Sequence, residues 1–392
     1  MTATPARPRR LLIVCHTGEV SGAEFVLLDI ARHYGGRCEV LLFADGPLAD
    51  RLARDGIRYS VLPAGRSVSG VRREAGRLRA LLAAPAVVML AWRLARMSRR
   101  DDVLYPNSQK AAVVTLLVAW LLRRELVWHL HDILSPEHFA PLQRWLMARL
   151  ANRGARRVIT VSRAARDAFI ASGGDPDRAV VIYNGFDQAR FARSDDADGR
   201  AAIRHQLGVG TAPLLGVFGR IAGWKGQHIL LRALPDMPGV HVLVVGDTLF
   251  NEAATLVQLK ALADELGVAD RVHWLGHRDD VPGLMQVVDV VLHTSIAPDP
   301  CPRVIVEGML SARPVIATDC GGAPELLGDE SRAVVPPGDP TRLAAAVNAI
   351  LQLSPQERAA CGAHHRARAQ AMFSLDAFLA GVSATVALDA PA

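Results

Sequence analysis

The stretch VVDVVLHTSIAPDPCPRVIVEGMLSARPVIATDCGGAPELL, residues 287–327, decides the fold of this chain. It reads as a buried strand running to Ser295, a proline-stiffened loop from Ile296 to Pro302, a helix from Arg303 to about Ala312, and a second buried strand from Pro314 to Thr318. Asp299 lies in the loop. Glu307 sits about one turn into the helix, on the same axial row as Arg303, so both carboxylates can face the carboxyl ends of parallel strands. An open α/β sheet takes its ligand at those ends.

Upstream of this stretch, Pro213 to Gly219 reads as a strand, 220–227 (RIAGWKGQ) as a loop, and His228 to Leu234 as a helix. Arg220 and Lys225 make a cationic pair at the mouth of a glycine-containing loop beside a helix N-terminus. That arrangement suits a diphosphate: Arg220 can grip two oxygens, Lys225 supplies a point charge, and amides and the helix dipole add to both. Two solvated charges in a surface loop is the plainer reading. Gly216, Gly219 and Gly223 fit GxxGxxxG and miss the dinucleotide pattern GxGxxG. Further strands are expected at His241 to Val245 and Val272 to Leu275, with a helix from Glu252 to Leu266 between them. Arg278 lies in the loop that ends the last of these strands. Asp339 reads as a helix N-cap with Pro340 at the first helical position, and a final helix runs from about Ser374 to Leu388.

The N-terminal part alternates in the same way, with strands at Arg10 to Cys15, Cys38 to Phe43 and Arg58 to Leu62 and a helix from Gly22 to about Tyr34, the pattern of a doubly wound sheet. Glu24 follows Ser21 at capping-box spacing. The alternative is that Gly18 and Gly22 let this loop approach a ligand. Strands at Val103 to Pro106 and Leu126 to Leu130 flank a buried helix over 110–122, and His131-Asp132 closes the second strand. His131 is open to three readings: a satisfied structural histidine, half of a metal site with His129, or a functional group at a strand end. Val158 to Val161 and Ala179 to Ile182 are the last strands before the polar stretch Ser194 to Gly199, which reads as the domain boundary. Asp175-Pro176-Asp177 is turn chemistry rather than a metal-binding DxD.

Four motifs, His131-Asp132, Arg220 with Lys225, Asp299 with Glu307, and the turn carrying Gly321, Gly322, Pro324 and Glu325, occur in the order seen in the retaining glycosyltransferases of family 4. The chain resembles that family over nearly its whole length. The resemblance implies an α/β protein of the GT-B class: two Rossmann-like, doubly wound parallel-sheet domains facing each other across a cleft, with the C-terminal helix crossing back to the first. Residues 1–190 with 373–392 would form the acceptor domain and 191–372 the donor domain. It implies transfer of a hexose or related sugar from a nucleotide-diphosphate sugar, with no metal and no cofactor, to a glycan, glycolipid or small-molecule acceptor. Bacterial cell-surface polysaccharide, glycolipid or secondary-metabolite synthesis is the expected setting.

By the same resemblance His131, Asp299, Arg220 and Lys225 would be catalytic. Gly22, Arg220, Lys225, Arg278, Asp299, Cys301, Arg303 and Glu307 would bind the donor, with Glu307 on the ribose and Arg278 near the base. The chain departs from the family pattern twice. Asp299 replaces the usual glutamate, and Cys301-Pro302 replaces a Phe-Gly pair that offers backbone amides, which proline lacks. A nicotinamide oxidoreductase, a non-catalytic sugar-nucleotide binder and a sugar-nucleotide epimerase are the rival functions; the first lacks its GxGxxG, and the second is favoured by Cys301-Pro302.

A chain of 392 residues, half of them hydrophobic, is enough for two domains with sizeable cores. The five cysteines form no CxxC pair, which points to free thiols in a reducing compartment and away from zinc. The first apolar run is too short for a signal peptide, and Leu81 to Trp92 and Ala111 to Leu122 fall short of the ~18–20 residues of a membrane span. A cytoplasmic protein is expected, at most peripheral on the inner face of the membrane. The net charge is +6, and between Arg66 and Arg100 nine arginines face one acid, Glu74. With its apolar run and Trp92, segment 66–100 reads either as an amphipathic element on anionic lipid or a phosphorylated acceptor, or as a solvated basic helix. No nucleic-acid-binding motif accompanies the charge.

Overall fold

The structure, a computed structural model, describes residues 9–64, 77–191, 197–248, 252–328 and 333–389. Part of the basic segment (65–76) and of the polar boundary stretch (192–196) therefore lies outside the described residues. Two compact units are present, one running to Gly185 and resuming at Asp376, the other spanning Phe186–Leu375. The division falls ahead of the polar stretch because Phe186 is tied to the second unit. Its N–H donates to the Phe373 carbonyl at 3.0 Å, and its ring lies 4.3 Å from the Arg303 guanidinium carbon.

The first unit runs β1 (Leu11–Cys15), α1 (Gly22–Tyr34), β2 (Cys38–Leu42), α2 (Pro47–Arg54), β3 (Tyr59–Val61), α3 (Arg77–Met97), β4 (Val103–Pro106), α4 (Gln109–Leu122), β5 (Val127–Leu130), α5 (Pro141–Gly154), β6 (Arg157–Thr160), α6 (Arg163–Ala171) and β7 (Ala179–Val181). Its strands lie in the orders β3-β2-β1-β4 and β5-β6-β7, all parallel, with a bridge from Leu104 to Leu126 joining the two sets. The central strands are buried along their whole length, as a parallel sheet covered on both faces requires. Leu12, Leu104 and Trp128 of the strands pack in one core with Leu94 of α3, Leu116 of α4 and Ala148 of α5.

The second unit contains α7 (Ala197–Gln206), β8 (Leu214–Phe218), α8 (Gln227–Ala233), β9 (His241–Val245), α9 (Ala253–Glu265), β10 (Val272–Gly276), α10 (Val281–Val287), β11 (Val290–His293), α11 (Arg303–Leu310), β12 (Val315–Thr318), α12 (Ala323–Leu327), β13 (Val334–Val335), α13 (Pro340–Leu351) and α14 (Pro355–Met372). The six parallel strands take the order β10-β9-β8-β11-β12-β13. A last helix, α15 (Leu375–Val386), belongs almost wholly to the first unit, where Arg156 Nη2 donates to its Thr385 and Val386 carbonyls at 2.7 and 2.9 Å.

The deciding stretch differs from expectation at its start. Val287 ends α10, and the strand begins only at Val290, because Asp289 breaks the apolar run. The Asp289 N–H donates to the Leu214 carbonyl at 2.7 Å, and its carboxylate accepts the Leu214 N–H at 2.8 Å. The strand also stops at His293 rather than Ser295, since Thr294 and Ser295 turn to the loop contacts described next. Pro302 is the N-cap of α11, one position earlier than its first turn. The Asp339 cap is formed, its carboxylate accepting the Arg342 N–H.

Candidate functional site

In the second unit the strand order reverses between β8 and β11, so the loops leaving their carboxyl ends diverge and open a crevice. Arg220 and Lys225 lie on the first of these loops and Asp299 on the second. A single 3-10 turn, Gly223–Lys225, is closed by Gly226 in the left-handed region at φ 72°. A Cβ at Gly226 would stand 1.9 Å from the Thr294 carbonyl oxygen, so only glycine lets the loop approach β11 this closely. Two bonds stitch the loops together. Thr294 Oγ1 donates to the Lys225 carbonyl at 2.9 Å and the Ile296 N–H to the Trp224 carbonyl at 2.8 Å.

This stitching brings the Lys225 ammonium to 2.5 Å from Asp299 Oδ2. His293, the last residue of β11, places Nε2 3.2 Å from the same oxygen and 3.0 Å from Ser295 Oγ. Burial works to raise the Asp299 pKa, but the Lys225 charge and the His293 hydrogen bond outweigh it and hold the carboxyl well below the usual carboxylate range. Burial also lowers the His293 pKa, against the pull of Asp299, so a neutral ring donates Nε2–H to a charged carboxylate. The main chain of Asp299 is fixed by the glycine turn: it bridges Gly321, and its carbonyl accepts the Gly322 N–H at 2.8 Å.

Arg220 and Lys225 share Trp224, whose ring centroid lies 5.7 Å from the guanidinium carbon and 4.4 Å from the ammonium. Arg220 Nε lies 3.6 Å from Glu252, and its carbonyl accepts from the buried Gln227 amide at 3.0 Å. Both cations keep about a quarter of their side-chain surface open to an incoming anion. On α11, Arg303 Nε and Glu307 Oε1 are 3.3 Å apart, a pair one helical turn long. Cys301 and Pro302 are buried just ahead of it. Arg278 is exposed and forms a two-pronged pair with Asp280, at 2.8 and 2.6 Å; no contact described joins it to Lys225 or Asp299.

In the first unit the order reverses between β1 and β4. Asn107, just past β4, is fully buried. Its N–H donates to the Val14 carbonyl at 2.9 Å and its amide to the Ala23 carbonyl at 3.1 Å, which leaves Oδ1 to accept from His131 Nε2 at 3.0 Å. His131 therefore carries its proton on Nε2. Burial lowers its pKa to about 3, so it is neutral near pH 7 with Nδ1 unprotonated. The ring lies against that of His129, with centroids 3.9 Å apart and planes tilted by 37°, and His129 Nδ1 is 2.8 Å from the Tyr105 hydroxyl. Among the described residues, no third histidine, cysteine or carboxylate joins the two to make a group that could hold a metal ion.

Glu24 is a cap: its Oε2 accepts the Ser21 N–H at 3.1 Å and hydroxyl at 2.6 Å. Gly22 is the first residue of α1. The bareness of Gly18 serves the fold, since a Cβ there would meet the Asp45 carbonyl at 2.2 Å. Asp175 is turn chemistry, accepting the Asp177 N–H and the Arg178 guanidinium, both at 3.0 Å. None of the five cysteines is in a disulfide, and burial raises the Cys15 and Cys38 thiols, the latter to about 12. Sequence reasoning missed His293, Asn107 and Trp224. The signal for the first two was present, because each follows or ends a strand at its carboxyl end, as His131 does.

The neutral histidines set a pH dependence of stability. An unfolded histidine titrates near pH 6.5, so on acidification the unfolded chain takes up protons that folded His131 refuses until about pH 3. Stability is then full above pH 6.5 and falls below it by up to about 1.4 kcal/mol per pH unit for each such group. His129 and His293 act in the same direction. The depressed carboxyl of Asp299 acts lower, its contribution being lost only as the pH falls through about 3.9 and below. Urea midpoints at pH 7 and pH 5 are expected to differ, and His131→Gln to shrink the difference; an unchanged difference would mean that His131 is not held neutral.

The description "Glycosyl transferase 4-like domain" matches residues 21–185, and "Glycosyl transferases group 1" matches residues 212–353. The Anabaena protein HepE, solved in complex with UDP-glucose, is 36% identical with a TM-score of 0.87, covering 97% of this chain and 100% of that one. The D-inositol 3-phosphate glycosyltransferase of Mycolicibacterium gilvum is 30% identical over 236 residues, 59% of this chain and 52% of that protein. The chain thus spans about half the length of the curated relatives it matches. Sucrose-phosphate synthase from Thermosynechococcus elongatus, 19% identical with a TM-score of 0.77 over 96% of this chain and 98% of its own, is alike in fold alone. The chain belongs to glycosyltransferase family 4, the glycosyl transferases group 1.

Proposed function

We propose that the protein transfers a sugar, with retention and without a metal, from a uridine-diphosphate sugar to an acceptor hydroxyl. The observation that carries this reading is the cationic pair at the strand-order reversal: Arg220 and Lys225, both about Trp224, on the loop after β8. Two fixed cations there would neutralise the charge that grows on a departing diphosphate, the work other classes give to a divalent ion. The UDP-glucose complex of HepE supports uridine as the base.

Asp299 holds the Lys225 ammonium in place. A diphosphate drawing on that ammonium would leave Asp299 to accept from sugar hydroxyls, with His293 keeping it oriented. Glu307, steadied by Arg303, would accept from the ribose hydroxyls, which suits a carboxylate with two acceptor oxygens. His131, neutral and held by Asn107 just past the end of β5 in the first unit, is a ring that adds no charge there. Attack from the leaving-group face, with the diphosphate as base for the acceptor, gives retention without a glycosidase's nucleophile. The acceptor would be lipid-linked or otherwise anionic, in a bacterial surface-glycan or glycolipid pathway at the cytoplasmic side of the membrane.

A non-catalytic sugar-nucleotide binder is the second reading, favoured by Pro302, which has no N–H to offer the donor. A diphosphate-release assay across UDP-, GDP-, ADP- and dTDP-sugars with EDTA present separates the two. The expected result is release from a UDP-sugar that Glu307→Ala reduces about tenfold to a hundredfold, the loss of one or two charged hydrogen bonds. Donor binding with no release, with or without candidate acceptors, would favour the binder; release that EDTA abolishes would refute the metal-free reading.

A further inference from the structure

The helices α3, α4 and α5 lie side by side over the first unit's sheet, α3 against α4 and α4 against α5. Their outward sides are unusual for water-facing helices. On α5 the exposed stripe is Leu142, Trp145, Leu146, Arg149 and Arg153, spaced three and four apart. On α3 it runs through Val88, Met89 and Trp92 to Arg93 and Arg96. The end of α4 adds Trp120, Leu121 and Leu122, followed by Arg123. Trp92, Trp145 and Trp120 are 53%, 51% and 46% exposed, and each carries an arginine: Arg96 at 4.7 Å, Arg149 at 5.5 Å and Arg153 at 5.8 Å. The last of these reaches from α5 to the tryptophan of α4 and joins those two stripes, and α3 packs beside α4. Not one of the three helices contains an aspartate or a glutamate.

We propose that this three-helix face docks on the surface of an anionic lipid bilayer. Leucine, methionine and valine side chains need an apolar phase, tryptophan settles at the headgroup level, and arginine meets lipid phosphates. The three occur together here, and the aliphatic side chains would have nothing to pack against on a nucleic-acid backbone. A second copy of the chain is disfavoured by charge. A two-fold contact sets the same patch against itself, and this one would set arginine against arginine with no acid to answer it. The surface extends the basic segment noticed in the sequence onto two further helices. No helix among the described residues is long and apolar enough to cross a membrane. The contact is therefore proposed as peripheral.

Flotation of the whole protein with vesicles tests this without donor or acceptor, so its outcome is separate from that of the transferase reading. At low salt the protein is expected to float with vesicles of phosphatidylglycerol and phosphatidylcholine and not with phosphatidylcholine alone, and to be released as salt rises. Exchanging Arg96, Arg149 and Arg153 for glutamine is expected to weaken partitioning about a hundredfold. Exchanging Trp92 and Trp145 for serine should weaken it about tenfold. These side chains are exposed, so melting temperatures should match the parent's. Tryptophan emission of the unaltered protein should also be quenched by brominated phosphatidylglycerol, a readout that needs no variant. The proposal is overturned if the protein fails to float with anionic vesicles, if the arginine variant floats like the parent, or if the same substitutions instead abolish a dimer or RNA binding.

Discussion

Lys225→Ala is expected to lower kcat/KM by about 10²- to 10³-fold, the range for deleting one preorganised group that stabilises charge developing in the transition state. The variant is also expected to lose stability, by about 1–3 kcal/mol, because Asp299 would keep a buried charge with only His293 beside it. The two effects come from different partners and can be separated. In the double variant Lys225→Ala with Asp299→Asn, the buried charge is gone and stability should largely return, whereas transfer should not. Turnover and urea unfolding on the same preparations check both halves. Full recovery of turnover in the double variant would mean that Lys225 serves only to neutralise Asp299.

Gly226→Ala is the second large effect, and it acts through the backbone. Left-handed geometry alone costs a non-glycine residue about 1–2 kcal/mol. The added Cβ would further meet the Thr294 carbonyl oxygen at 1.9 Å, which only a main-chain shift can relieve. A total of about 3 kcal/mol or more is expected. Since the displaced segment carries Lys225, transfer should fall by about a hundredfold even in the folded fraction, as misplacements near 1 Å do. Gly223, three residues away, is the control. A Cβ there meets nothing within 4 Å, and Gly223→Ala should change stability by no more than about 0.5 kcal/mol. Equal effects at the two positions would sever the link between loop geometry and chemistry.

Much of the fold was legible because its strands are buried on both faces and so appear as short apolar runs between glycines and polar turns. The run of β9 was read at its observed bounds, as was α1 behind its Ser21 and Glu24 cap. Two of the helices that escaped notice, α14 and α5, lack a clear apolar period. On α14, polar residues occur nearly all round, so no apolar period marks it, although Ser354 and Glu357 form a capping box at its start. On α5 the exposed stripe is itself apolar, which blurs the period that would announce it. Where α10 passes into β11, one apolar run serves both elements, and the single break, Asp289, is too small a signal to place the boundary.

The site divides similarly. Motif spacing singled out Arg220, Lys225, Asp299 and Glu307 as candidates, but their pairings depend on how the loops fold together. A sequence cannot say that Lys225 pairs with Asp299, or that Glu307 is held by Arg303. His293 ends its strand at the carboxyl end, the kind of position from which His131 was singled out, but its bond to Asp299, six residues on across a loop, exists only in the folded chain.

The central claim is that Arg220 and Lys225 bind a diphosphate, and calorimetric titration with UDP and UMP in the presence of EDTA tests it most directly. The account predicts that UDP binds the unaltered protein at least about tenfold more tightly than UMP, since the second phosphate adds a charge-assisted contact of at least about 1.5 kcal/mol. It predicts further that Lys225→Ala erases most of that difference. Equal affinity for the two nucleotides, or a preference for UDP that survives in Lys225→Ala, would contradict it.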